Sequence, residues 1–203
     1  MNILKNFIVF EGLDGAGTTT QAKLLSQKIK NSFLTCEPTD NEIGKLIRKI
    51  LKKEIWVDPF SLCLLFASDR NEHIFGKNGI YQRCQDNQIV ICDRYLFSSL
   101  AYQSLDIDMQ KVYSLNKDFL LPEIVFFLDT SLDECKNRIK TRNEGEELFE
   151  KETIQNKILD NYLKGFSFFE KTDMKIYKLN GNLPIVELLQ KEFDIITQIG
   201  RDY

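Results

Sequence analysis

Five short apolar runs recur along the chain, at residues 6–10, 32–36, 89–92, 124–128 and 175–179, most of them rich in Ile, Val or Phe. Runs of this length and composition predict buried strands. Between them the period changes. Ile43, Ile47, Ile50 and Leu51 fall on one helical face, and so do Val186, Leu189, Phe193 and Ile196 near the C-terminus. Strands alternating with helices predict a parallel sheet covered on both sides, a three-layer α/β fold. No internal repeat or Pro/Gly-rich linker interrupts the pattern, so residues 1–203 are expected to form one domain. Residues 143–152 stand apart, with five glutamates, one glycine and few apolar side chains. They are expected to form an exposed excursion between two helices.

The first apolar run leads into Gly12-Leu13-Asp14-Gly15-Ala16-Gly17-Thr18-Thr19 and then a helix-compatible stretch from Thr20. The spacing is that of a phosphate-binding loop, G-x-x-x-x-G-K-[ST]. A strand that ends in such a turn and opens a helix aims backbone N–H groups at one point, where the helix dipole adds positive charge. Gly12, Gly15 and Gly17 permit the close approach and positive φ values the turn requires. Thr19 is the expected hydroxyl for Mg²⁺ or a phosphate oxygen. The lysine position, however, holds Thr18, which can donate one hydrogen bond but neutralises no charge. A kinase built on this loop needs another cation.

Three further stretches carry candidate chemistry. Phe66 and Arg70 lie four apart in a predicted helix with His73 one turn on. A ring beside a guanidinium fork can stack on a base and donate to its edge, although a core Phe beside a surface Arg–Asp pair is the plainer reading. The third strand ends in Asp93-Arg94-Tyr95, with a helix expected from about Ser98. Ligands bind beyond the carboxyl ends of strands in open parallel sheets, which places Asp93 and Arg94 on the edge that carries the glycine loop. There Arg94 can clamp a phosphate, and Asp93 can order Mg²⁺ directly or through Thr19. After the fourth strand, Arg138 and Arg142 share a helix face that runs into the acidic stretch. A lid there, over residues 141–152, would bring both arginines to the phosphates in place of the lysine.

Composition narrows these choices. The formal net charge of −3 supplies no basic field for nucleic acid or an anionic membrane, and no apolar window is long enough to span a bilayer. The five cysteines form no C-x-x-C pair, and His73 is the only histidine. Free buried thiols in a cytoplasmic protein are expected, and a His-rich zinc site is excluded.

Taken in order, several segments resemble the thymidylate kinase family. They are residues 7–21, Glu37-Pro38, Ile43-Gly44-x-x-Ile47-Arg48, residues 64–73, Asp93-Arg94-Tyr95 with Ser98 to Gln103, and Glu147-x-Phe149-Glu150. The resemblance covers about three quarters of the chain. It implies a P-loop nucleoside monophosphate kinase fold with a five-stranded parallel sheet and a small lid, commonly a homodimer, that transfers a phosphoryl group from MgATP to dTMP. Carried onto this chain, Gly12, Gly15, Ala16, Gly17, Thr18, Thr19 and Thr20 would cradle the ATP phosphates. Phe66 would stack on thymine and Arg70 would bond its O4. Arg48 and Arg94 would hold the dTMP phosphate. Asp14 would lie by the sugar 3′-hydroxyl, and Tyr102 would crowd the 2′ position. Ser98 and Gln103 would line the base pocket near Glu37, and Glu147 and Glu150 would belong to the lid. The family normally has lysine where this chain has Thr18, so Arg142 is the expected helper cation. Two other readings remain open from the residues: a deoxynucleoside kinase using Glu37 as base, and a nucleotide-binding module that lost catalysis with its lysine.

Overall fold

A computed structural model describes residues 2–142 and 152–198. The elements in chain order are β1 (Ile3–Gly12), α1 (Thr18–Lys28), β2 (Ser32–Cys36), α2 (Glu42–Leu51), α3 (Pro59–Phe75), α4 (Ile80–Gln85) and β3 (Ile89–Asp93). There follow α5 (Leu96–Gln103), α6 (Met109–Asn116), β4 (Leu121–Asp129), α7 (Leu132–Arg142), α8 (Glu152–Ser167), β5 (Lys175–Asn180) and α9 (Ile185–Gln198). All five strands expected from the apolar runs are present, with β1 and β4 extended by a few residues at their starts.

The sheet is parallel, in the order β2-β3-β1-β4-β5. Burial follows that order. β3 is buried along its whole length and β1 from Phe7 onward, whereas the edge strands β2 and β5 are only partly covered. Buried central strands read as unbroken apolar runs for this reason. The core fills with Phe7, Phe10, Val90, Ile91, Phe126 and Phe127, among others, each no more than 1% exposed.

The register sets up the site. Phe10 pairs with Asp93 and Cys36 with Asp93, while Gly12 pairs with Leu128. The ends of β1, β2 and β3 therefore meet at one edge. β1 connects outward to β2, whereas β3 connects across β1 to β4, so the two crossovers run in opposite directions. A crevice opens at such a switch point.

Helix α9 departs from the expected face. Its buried positions are Leu188, Glu192 and Ile196, with Leu189 and Phe193 half-buried, and Val186 is exposed. The apolar arc is broad enough to centre on Glu192, which an apolar-only pattern excludes from the core. Four of the five cysteines are buried and Cys36 is half-buried; all are free thiols. No helix among the described residues is long and apolar enough to cross a membrane.

Candidate active site

The loop after β1 is built as an anion nest. Gly15 and Gly17 take φ values of 81° and 103°, in the left-handed region where a side chain is strained. A Cβ on Gly12 would meet the Ala16 Cβ at 2.9 Å. The loop's carbonyls are drawn off by side chains. Ala16 O accepts from Thr130 Oγ1 and from Arg138 Nη1, both at 3.0 Å, and Gly12 O accepts from Arg94 Nη1 at 3.0 Å. Helix α1 then starts at Thr18, with Gly17 as its N-cap and no side-chain cap. The N–H groups of Gly17, Thr18, Thr19 and Thr20 belong to a first turn that has no intrahelical acceptors. With its carbonyls occupied and its N–H groups open, the loop can receive phosphate oxygens. Thr18 itself is buried and brings no charge.

Asp93, at the end of β3, stands beside this turn. Its Oδ2 accepts from the Thr19 hydroxyl, and its Oδ1 is buried with no hydrogen-bond partner among the described residues. A hydroxyl and one orphaned carboxylate oxygen beside a phosphate nest form a donor set that fits Mg²⁺, which takes few protein ligands and completes its shell with phosphates and water. No group of three or more His, Cys, Asp or Glu side chains gathers into an all-protein metal cage among the described residues.

Arg94 adopts φ 69°, an uncommon conformation for a non-glycine residue. Its side chain is 20% exposed and pairs with Asp14, Nη2 to Oδ1, at 2.6 Å. Nη1 donates to Gly12 O at 3.0 Å, Ser98 Oγ at 3.2 Å and the Tyr162 hydroxyl at 3.2 Å. The guanidinium also lies 5.1 Å from the centre of the Tyr102 ring.

Behind Arg94 sits Glu11, which has no exposed surface. Its Oε1 accepts from the backbone N–H groups of Tyr95 at 2.9 Å and Ser98 at 3.2 Å, so the carboxylate serves the N-terminus of α5. Its Oε2 accepts from Ser98 Oγ at 2.6 Å and the Tyr162 hydroxyl at 3.0 Å. Burial pushes the Glu11 carboxyl up to about 7, against the pull of Ser98, Arg94, Tyr162 and Tyr95 toward lower values.

A second buried carboxylate, Glu37, follows β2 and precedes Pro38 through a cis peptide. Arg70 donates to its Oε2 through Nε at 3.0 Å and Nη2 at 2.6 Å, and His73 Nδ1 lies 3.1 Å from its Oε1. Arg70 also donates to Ser99 Oγ at 3.0 Å and to Asn116 Oδ1. The fork is 1% exposed and faces protein on all these sides, not open space. Phe66 is half-buried one turn before it. Arg48, on α2, reaches the Pro38 carbonyl with Nη1 at 2.8 Å and Nη2 at 2.6 Å and remains 35% exposed. Tyr102 and Gln103 line a pocket with Ile50, Ile55, Trp56 and Leu62.

A family model for thymidylate kinase matches residues 10–192. The chain belongs to the thymidylate kinase family. It is 46% identical over 165 residues to a protein of Treponema pallidum assigned as a thymidylate kinase, covering 80% of this chain and 79% of that one. It is 43% identical over 159 residues to one assigned likewise in Methanocaldococcus jannaschii, covering 78% and 80%. The structure is similar to the thymidylate kinase of Candida albicans, with a TM-score of 0.77 and 26% identity over 95% of this chain and 91% of that chain. The fold of the Ehrlichia chaffeensis thymidylate kinase matches with a TM-score of 0.70 at 24% identity.

Within this thymidylate kinase frame the expected residues fall into two groups. Asp14, Arg94, Ser98 and the glycine loop are in direct contact, with Thr19 and Asp93 joined beside them. Glu37 and Arg70 pair in a second wall, with Arg48 held on the adjacent Pro38 carbonyl and Phe66 one turn before Arg70 on α3. Glu37 does not present an open carboxylate, because Arg70 and His73 occupy both its oxygens; the placement disfavours it as a catalytic base. Arg138 docks on the loop, with Nη2 also donating to Gly181 O at 3.0 Å and Nε to Glu134 at 2.8 Å. The Arg142 side chain, Glu147 and Glu150 lie outside the described residues. Sequence reasoning missed Glu11, Tyr162, Ser99 and Asn116. A glutamate closing an otherwise apolar strand was a visible signal for Glu11; nothing local marked the others.

Proposed function

We propose that this chain transfers a phosphoryl group from ATP to dTMP, giving dTDP and ADP. The observation that carries this reading is the placement of Arg94. It stands at the phosphate nest, anchored at Gly12 and Asp14. Membership of the thymidylate kinase family supports dTMP as the acceptor. The acceptor is already an anion, so the site needs no strong base. It must bring two polyanions together, align them and neutralise their charge. In this reading the N–H groups from Gly17 to Thr20 hold the donor phosphates, and Arg48 and Arg94 hold the dTMP phosphate. Thr19 and Asp93 would hold Mg²⁺, which supplies charge neutralisation at the phosphates when bound.

Thr18 leaves the lysine's charge to others. Arg94 and Arg138 touch the two ends of the loop, at Gly12 and Ala16, and are the described cations best placed to share that role with Arg142. Phe66, Tyr102 and Gln103 are proposed to seat the nucleoside. A base-reading role for Arg70 requires its fork to give up part of its contact with Glu37, Ser99 or Asn116.

A homodimer is part of the same proposal. Leu64 and Phe75 lie three turns apart on α3 and are 43% and 53% exposed, an apolar face that a second copy can cover. The free thiols favour the cytoplasm as the working compartment.

The test is ADP production with MgATP and dTMP, beside thymidine, dUMP and dGMP. Turnover with dTMP well above the others is expected. Binding of dTMP without ADP formation would overturn the reading and leave a binding module that lost its chemistry with the lysine; Thr18→Lys would then be the variant to examine.

A further inference from the structure

Arg94 carries its charge at the site, yet a guanidinium on three flexible methylenes is useful to a reaction only if its plane is fixed. The structure shows what fixes it. On one side lies Glu11, an acceptor with four donors around it. On the other lies Arg94, which can only donate. Between them stand two hydroxyls, Ser98 and Tyr162. Ser98 Oγ is 2.6 Å from Glu11 Oε2 and 3.2 Å from Arg94 Nη1. The Tyr162 oxygen is 3.0 Å from Glu11 Oε2, 3.1 Å from Gly12 O and 2.8 Å from Ser98 Oγ, with Arg94 Nη1 at 3.2 Å.

These distances give the network a direction. A hydroxyl has one proton and two lone pairs. The Ser98 proton goes to the carboxylate at its shortest contact. The Tyr162 proton goes to Glu11 Oε2, Gly12 O or Ser98 Oγ, because the guanidinium offers no acceptor. Both hydroxyls therefore turn lone pairs toward Nη1, and Nη1 is held by three acceptors at once. The Nη1 side faces protein. The ring of Tyr162 is locked independently of its hydroxyl. It is fully buried and packs on Phe127 at 5.2 Å, Phe166 at 6.0 Å and Tyr102 at 6.3 Å between centroids. The oxygen is thus delivered by a rigid plate from α8 to an arginine on the β3–α5 turn.

We infer that Tyr162 and Glu11 are positioning residues for phosphoryl transfer: together with Ser98 they set the plane of the Arg94 guanidinium. This rests on the proposed role of Arg94 and extends it to two residues that need touch neither nucleotide. The network ties β1, the glycine loop, the start of α5 and α8 to a single guanidinium, so its loss is expected to slow the reaction without removing any charge that binds substrate.

The test is a double-mutant cycle on the full chain, with kcat and both KM values measured for MgATP and dTMP. Tyr162→Phe keeps the ring and deletes one oxygen, so the fold is expected to survive, with Tm shifted by a few degrees at most. In the native background kcat should fall about fivefold to tenfold and the KM for ATP should stay within about twofold. In an Arg94→Ala background the same change should cost less than about twofold, because there is no guanidinium left to position. Glu11→Gln, which replaces an acceptor-only group by one that donates into the two hydroxyls, should lower kcat at least as far as Tyr162→Phe. An unchanged kcat in Tyr162→Phe, or an equal loss in both backgrounds, would overturn the inference while leaving dTMP kinase activity intact. Absence of dTMP turnover in the native chain is a separate result and would fall on the proposed function.

Discussion

Two interior regions of this molecule each bury carboxylates, and they treat them in opposite ways. At the carboxyl ends of β1 and β2, Glu11 meets four donors and Glu37 meets Arg70 and His73. On α9, which packs against α1, Glu192 has no exposed surface and neither oxygen has a hydrogen-bond partner among the described residues. Lys28 of α1 reaches this helix at Gln190 and the Phe193 ring, and Lys191 pairs with Glu187. Burial lifts Glu11 to about 7 and Glu192 to about 8. The less functional of the two is the more perturbed. A raised carboxyl does not locate an active site by itself; the donors around it do, because they show that the fold was built to keep the charge.

The largest effect is expected where a paired carboxylate loses its cation. Arg70→Ala would leave the Glu37 side chain, 5% exposed, short of the two donors on its Oε2. Breaking a buried pair from one side costs about 3–5 kcal/mol, so Tm should fall by about 10 °C in thermal unfolding. A drop of under about 2 °C would mean that the wall is far less committed to this pair than its geometry says. The next effect is catalytic. Arg94→Ala should reduce kcat by about a hundredfold, as loss of a charge-stabilising donor does. It should cost less stability than Arg70→Ala, since its partner Asp14 has a 26% exposed side chain that water can reach. Near-normal turnover would remove Arg94 from the mechanism and the positioning network with it.

The same contrast explains how much could be read from the chain. The five strands were legible because a parallel sheet buried on both faces needs unbroken apolar runs, and the phosphate nest was legible because positive φ calls for glycine at fixed offsets. Local spacing also placed Phe66 and Arg70 on one helix. It could not say what the Arg70 fork faces, because its partner Glu37 lies 33 residues earlier. The Glu11–Tyr162 contact spans 151 residues and leaves no periodic trace. Helix α9 departs from the pattern for the converse reason: the apolar pattern is a statement about cost, and Glu192 occupies a buried position where no hydrogen-bond partner among the described residues offsets that cost.

That cost gives the sharpest test of the contrast. Glu192 has an ordinary carboxyl value of 4.5 and is lifted in the fold to about 8. Folding therefore takes up a proton between those values. The contribution of this group to stability is complete below about pH 4.5 and is lost as pH rises toward 8, at up to about 1.4 kcal/mol per pH unit. Glu11 adds a loss of the same sign, but only up to about 7. Glu192→Gln has no proton to lose. Its Tm should match the native chain near pH 5 and exceed it by several degrees at pH 8, with kcat unchanged, because no hydrogen bond among the described residues joins Glu192 to a phosphate-binding group. A Tm difference that is the same at both pH values would show that the native Glu192 has found a partner or water in solution, and the two carboxylate regions would then differ in degree only.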